Sequence, residues 1–178
     1  MSVPTEVLGE LVTGDRLDAV RAFVYREARL LDQRRYADWL EVWTSGPEDL
    51  YWVPAEDDVA GGDEVISYIY DNTTRLRTRV KQLLTGERYS QVPTSSTARV
   101  VSNLEAYTAA PGGDGDDGAV RVLTSFALHE YRLGRTHVWA GRTEYRLVGP
   151  DAGNLRMAAK KVLLVDRTGA VPSMAFLL

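Results

Sequence analysis

His129 and His137 are the only imidazoles in a chain of 178 residues that has no cysteine. That donor set excludes a thiolate zinc site and a cysteine-held iron–sulfur cluster on this chain. The two histidines flank a Gly134-Arg135 step that suits a hairpin turn, so they could face each other across two strands. A metal site would need both of them plus a carboxylate such as Glu130 or Asp166. Without an identified third ligand, the better reading is two ordinary strand residues and no metal. Asp32, Tyr36 and His129 offer a second chemistry, an acid, a phenol and an imidazole able to act as general base and orienting groups. The plainer reading has Asp32 ending a helix and Tyr36 packing with Trp39 and Trp43. Together with Tyr51 and Trp52, these aromatics suit a core better than a ligand wall.

Charge supplies the remaining candidates. Arg75, Arg77, Arg79 and Lys81 lie largely off an apolar helical stripe, as a solvated face or as a dock for an acidic surface. Arg99 and Asn103 share one phase of a strand and are candidates for an interface, as are Arg75 and Arg79. Arg135, Arg142 and Arg146, with Glu130 and Glu144, suggest cross-strand pairs on an exposed sheet face. Asp114 to Asp117 lack the spaced ligands of a calcium loop, so a disordered loop is expected there. The net charge of −4 gives no basic footprint for nucleic acid. No apolar run approaches the ~20 residues that cross a bilayer. MSVPTEVLGEL lacks the basic and apolar regions of a signal peptide, and the lack of cysteine fits the cytoplasm.

The elements that must position these residues follow from periodicity. A first helix is expected from an Asp15 N-cap to Asp32, with Leu17, Val20, Val24, Ala28 and Leu31 on one face. A second runs from Arg34 to Trp43 and stops at Ser45-Gly46-Pro47. Leu50 to Val53 is a short strand, and Ala55 to Asp63 an exposed loop. A long helix is expected from Glu64 to Thr85. Its stripe is Ile66, Ile69, Thr73, Leu76, Val80 and Leu83, and Gly86 ends it. Strands follow at Thr97–Thr108, Val120–Leu133, His137–Val148 and Leu155–Asp166, then a final apolar strand or tail from Val171 to Leu178. Residues 1–14 form a loose lead-in and residues 109–118 a flexible acidic, glycine-rich loop. Helices first and a strand meander after predict a single α+β domain over residues 1–178, its helices covering one face of a strongly curved, mostly antiparallel sheet.

In EARLLDQRRYADWLEVW (Glu27–Trp43), YWVP (Tyr51–Pro54), ISYIYDNTTRLRTRVKQLLTG (Ile66–Gly86) and RVVSNLEAY (Arg99–Tyr107), the chain resembles the small, or beta, subunits of Rieske-type aromatic-ring-hydroxylating dioxygenases. GRTEYRL (Gly141–Leu147) and AAKKVLLVDRTG (Ala158–Gly169) add weaker matches. The resemblance implies a cone-shaped fold similar to nuclear transport factor 2, scytalone dehydratase and cystatin. It implies a large (alpha) subunit as partner, carrying a Rieske 2Fe-2S cluster and a mononuclear iron, with no cofactor on this chain. It also implies a homotrimer within a mixed hexamer, a role in aromatic hydrocarbon catabolism, and no catalytic residues here. Ser96 stands where relatives usually have arginine, and Ser173-Met174 where they have Asn-Leu. The alternatives left open are a stand-alone dehydratase or isomerase using Asp32, Tyr36 and His129 in the cone, and a non-enzymatic small-ligand binder.

Overall fold

The computed structural model describes residues 8–56, 65–85, 93–109, 118–151, 153–174 and 176–178. The expected glycine end at Gly86 and the acidic residues Asp114 to Asp117 lie outside them. Helix α1 spans Gly14–Asp32, starting after Thr13 rather than at Asp15. It buries Val20, Phe23, Val24, Glu27, Ala28 and Leu31 on one side. Arg34 closes it in the left-handed region, φ 56°. The Arg35 amide donates to Leu30 O at 2.9 Å and the Arg34 amide to Leu31 O at 3.0 Å, the paired bonds of a Schellman end. Helix α2, Tyr36–Leu40, is shorter than expected. From Val42 the chain turns to the sheet, where the Met157 amide donates to Val42 O at 2.8 Å and the Thr44 amide to Met157 O at 3.0 Å.

The expected helix from Glu64 is a strand and a helix instead. Strand β1 spans Leu50–Pro54. Strand β2, Ser67–Asn72, pairs antiparallel with β1, setting Trp52 opposite Tyr70 and Val53 opposite Ile69. SYIYDN is rich in aromatic and branched residues, and pairing with β1 overrides the weak helical period at its start. Asn72 then accepts the Arg75 amide at 3.1 Å and caps helix α3, Thr73–Thr85, whose buried side is Leu76 and Val80.

The sheet adds β3 (Ser96–Thr108), β4 (Val120–Arg132), β5 (Arg135–Val148) and β6 (Arg156–Leu164). Its order is β2-β1-β6-β5-β4-β3, antiparallel except where β1 meets β6. Leu133 and Gly134, at φ 51° and 73°, make the β4–β5 hairpin turn, one residue earlier than Gly134-Arg135. Both residues take the positive φ that a two-residue hairpin of native twist requires. A bulge between Ser102 and Glu105 holds Asn103 at φ 50° and bends β3 around α1. The lead-in is anchored at its end, because the Val12 amide donates to Ala106 O at 2.8 Å and the Thr108 amide to Glu10 O at 2.9 Å. Gly9 passes so close to β3 that a Cβ there would lie 2.1 Å from Thr108 O. At the other end Val171 to Met174 form no strand, and the tail instead buries Phe176, Leu177 and Leu178. The core lies between the concave sheet face and α1–α3.

Candidate functional site

In a cone of helices on a curved sheet, the interior is where a ligand would sit. Helix α1 carries a glutamate in the middle of its apolar stripe, three residues from Val24 and four from Leu31. Glu27 is 1% exposed. Its Oε1 accepts from Lys160 Nζ and from Trp39 Nε1, each at 2.7 Å. Lys160 comes from the inward phase of β6 with Ala158, Val162 and Leu164. Its ammonium lies 5.5 Å from the centre of the Tyr145 ring. Burial pulls the Lys160 pKa below its ordinary 10.5, and the Glu27 carboxylate opposes that shift. This pair was not among the sequence-based candidates, although a carboxylate inside an apolar helical stripe was its visible signal.

A second tie closes the cone toward β3. Asp32 accepts from Thr97 Oγ1 at 2.9 Å, from the Arg99 amide at 2.8 Å and from the Arg99 guanidinium. The Arg99 side chain is only 5% exposed, and its other Nη donates to Leu177 O. Leu178 lies against Tyr51, whose hydroxyl accepts from the Leu178 amide at 3.0 Å and donates to Leu178 O at 3.2 Å. Phe176 packs edge-on to Trp139, centres 5.5 Å apart. Between Glu27, Arg99, Thr124, Tyr145, Lys160 and Leu178 only about 10 Å³ stays open. That is room for one water molecule, against the ~300 Å³ or more of a typical small-molecule site.

The candidate acid–base set is split by strand alternation. Asp32 and Tyr36 lie on the inner side. Tyr36 is buried, and burial is the main cause raising its phenol, opposed by the nearby Arg99 and Arg34 charges. His129 pairs in register with Ala98 and Val138, on the phase opposite Thr97 and Arg99, and is exposed on the outer face. It cannot meet Asp32 through the sheet. We expect His129→Ala to change stability by less than about 0.5 kcal/mol in a urea melt, as for other surface positions. The two histidines do not converge either, because His137 stands opposite Glu130 on the inner face. Among the described residues no three His, Asp or Glu side chains gather as a metal site.

Other expectations need correction. Glu130 is buried rather than on an exposed charged face, accepting from Ser95 Oγ and from Trp139 Nε1 at 2.9 Å. Arg121 and Glu144 pair on the outer face, 2.7 Å apart. Arg99 is turned inward, toward Asp32 and the tail. The β3 bulge puts Asn103 out of phase with Arg99, and Asn103 is exposed. Arg79 is held by Asp71, while Arg75 is exposed and reaches Tyr70 O at 3.2 Å. Trp39, Trp43 and Tyr51 pack edge-to-face in the core, but Trp52 lies on the other face of β1, under Lys161 and against Tyr70.

Two tests follow from this interior. Trp39→Phe keeps the packing but removes one donor from Glu27, which should cost about 1.5–3 kcal/mol in urea melts, as for bonds to a charged group. Burial also pushes the Tyr51 and Tyr145 phenols well above their ordinary 10.0. Groups whose pKa is raised by folding contribute stability that is present below pH 10.0 and lost as pH rises beyond it, because only the unfolded chain ionises there. Stability should therefore fall steeply above about pH 10. Tyrosinate absorbance from these two residues should appear only with unfolding, and early ionisation in the folded protein would contradict their burial.

The family described as "Ring hydroxylating beta subunit" matches residues 26–169. The chain is 34% identical to the small oxygenase component of the p-cumate 2,3-dioxygenase system of Pseudomonas putida, over 82% of this chain and 77% of that protein. It is 36% identical to the toluate 1,2-dioxygenase subunit beta of Pseudomonas putida, over 83% and 88% of the two chains. Among solved structures, the beta subunit of the benzoate 1,2-dioxygenase from Burkholderia mallei superposes with a TM-score of 0.70 at 23% identity, over 93% of this chain and all of that one. Naphthalene 1,2-dioxygenase with indole bound superposes at 0.73 and 20% identity, over 92% and 85%. At these identities the superpositions carry the fold alone.

Proposed function

The chain belongs to the ring hydroxylating beta subunit family, and from that membership we propose that it is a non-catalytic small subunit that assembles with, and stabilises, a large dioxygenase subunit. The observation that carries this reading is the filled centre of the cone, between Glu27, Arg99, Tyr145 and Lys160. The place where a pocket enzyme of this shape would bind substrate is occupied by the Glu27–Lys160 pair, the Asp32–Arg99 tie and the buried tail. The polar groups of both ties bond to other parts of the same chain. The Rieske cluster and mononuclear iron then reside on the large subunit, and the aromatic substrate is selected there. The donor set of this chain, without cysteine, does not fit a cluster of its own.

Self-association as a trimer within a mixed hexamer is part of the same proposal. The outer sheet face supports it, since Val100, Tyr131, Val138 and Val165 are exposed there beside small residues. Exposed apolar patches of this kind mark association surfaces. The cytoplasm is the proposed compartment.

The test is co-purification of the tagged chain from its native cell, with native mass and iron read on one sample. A mixed complex containing a larger, iron-bearing chain is expected. A homogeneous iron-free species with no second chain would overturn the proposal.

A further inference from the structure

Helices α2 and α3 leave a groove open between them. On α3, Arg77, Val80, Lys81 and Leu84 recur at three- and four-residue spacing, so they share one face. Ala37 and Leu40 of α2 stand opposite, and together these side chains line an open surface groove of about 310 Å³. The floor is apolar. Val80 is buried, but Leu84 at the rim is 57% exposed, a large side chain left in water beside an unfilled hollow. Through Ala37, Leu40 and Arg77 the groove continues into a second hollow of about 220 Å³ that reaches Glu41, Trp43 and Asp49.

The rim is cationic. Among the described residues Arg77 donates to Ser45 Oγ at 3.0 Å, and Lys81 has no hydrogen-bond or ion-pair partner. Arg79 on the same helix is neutralised by Asp71, and Asp49 is held by Thr44 and Gly46. Glu41 is the one other carboxylate lining the hollows. An occupant that covers Leu84 must also desolvate Arg77 and Lys81, which is favourable only if it brings carboxylates to them.

We propose that the α2–α3 groove is a docking site for an apolar segment of the large subunit that carries acidic side chains beside its anchor residue. This rests on the small-subunit reading above. A second copy of the chain is the competing occupant, and the native mass of the variants separates the two. The binding mode is an anchor side chain in a hollow between helices, with charge at the rim setting register and encounter rate.

The experiment compares the tagged wild-type chain with Arg77→Glu/Lys81→Glu and with Leu84→Asp in the native cell. The large subunit is identified by peptide sequencing, iron content and the visible absorbance of its cluster. Thermal melts of each isolated chain control for folding, and native mass of each isolated chain reports self-association. The proposal expects both variants to melt like wild type, keep the wild-type self-association, and recover the large subunit about tenfold less or worse. Wild-type recovery by both variants overturns the groove while leaving the small-subunit reading intact. Loss of self-association instead assigns the groove to a second copy and overturns the proposal. If the wild-type chain itself recovers no iron-bearing subunit, the small-subunit reading fails, and the proposal falls with it.

Discussion

Glu27→Ala is expected to lower folding stability by about 3–5 kcal/mol, the usual cost of leaving one member of a buried ion pair alone. For a chain of this length that is a drop of roughly 6–20 °C in Tm. The alanine removes the acceptor for two donors, Lys160 Nζ and Trp39 Nε1, neither of which has solvent to turn to. Lys160, already shifted down by burial, must then lose its proton or drag water into the core. A folded pKa below the ordinary 10.5 means that the unfolded chain holds this proton more tightly. The penalty therefore eases as pH rises toward 10.5. Glu27→Leu with Lys160→Met should recover most of the loss, since apolar side chains of similar size replace buried pairs at little cost. Urea melts at pH 7 decide the matter. A loss under about 1 kcal/mol for Glu27→Ala would mean that the pair is not buried as described.

Arg99→Ala should cost about 2–4 kcal/mol, because one guanidinium joins three parts of the chain. It binds the end of α1 through Asp32, the edge strand β3 through its own backbone, and the tail through Leu177 O. Its loss should free the tail before the sheet. Amide exchange at Leu177 and Leu178 should rise well above that at Val122 or Leu147. Arg99→Lys should not rescue, since an ammonium cannot span a carboxylate and a carbonyl in one planar fork. Wild-type stability for Arg99→Lys, or unchanged exchange in the tail, would contradict this role.

The long strands and α1 were legible because each has a clean period and a buried face. The meander from Val120 to Leu164 alternates along most of its length, and its turns carry glycine or proline. The β2–α3 boundary was not legible. Ile66, Ile69 and Thr73 fall on the same helical stripe as Leu76 and Val80, and only pairing with β1 makes SYIYDN extended. The end of α1 was hidden for another reason, since Arg34 takes the left-handed residue's place without glycine. In the interior, Asp32 and Tyr36 lie on the inner side, but the partner of Asp32 is Arg99, while His129 faces outward. The bulge at Asn103 shifts the phase of β3, and no local signal in VVSNLEAY announces it. Glu27 interrupts an apolar helical stripe, but Lys160 lies 133 residues away and nothing local pairs the two. Family resemblance carried the functional reading further than any side-chain set did.

The central claim is that this chain shapes an assembly and takes no part in its chemistry. The most direct measurement is ring-hydroxylation turnover per iron in the purified mixed complex. Wild type is compared with Tyr36→Phe/His129→Ala and with Glu27→Leu/Lys160→Met, using an aromatic substrate that the wild-type complex converts. The account predicts that every variant complex that assembles turns over within about twofold of wild type, because none of these groups touches substrate. A loss of more than about tenfold in a complex of unchanged mass and iron content would place catalytic groups on this chain and contradict it.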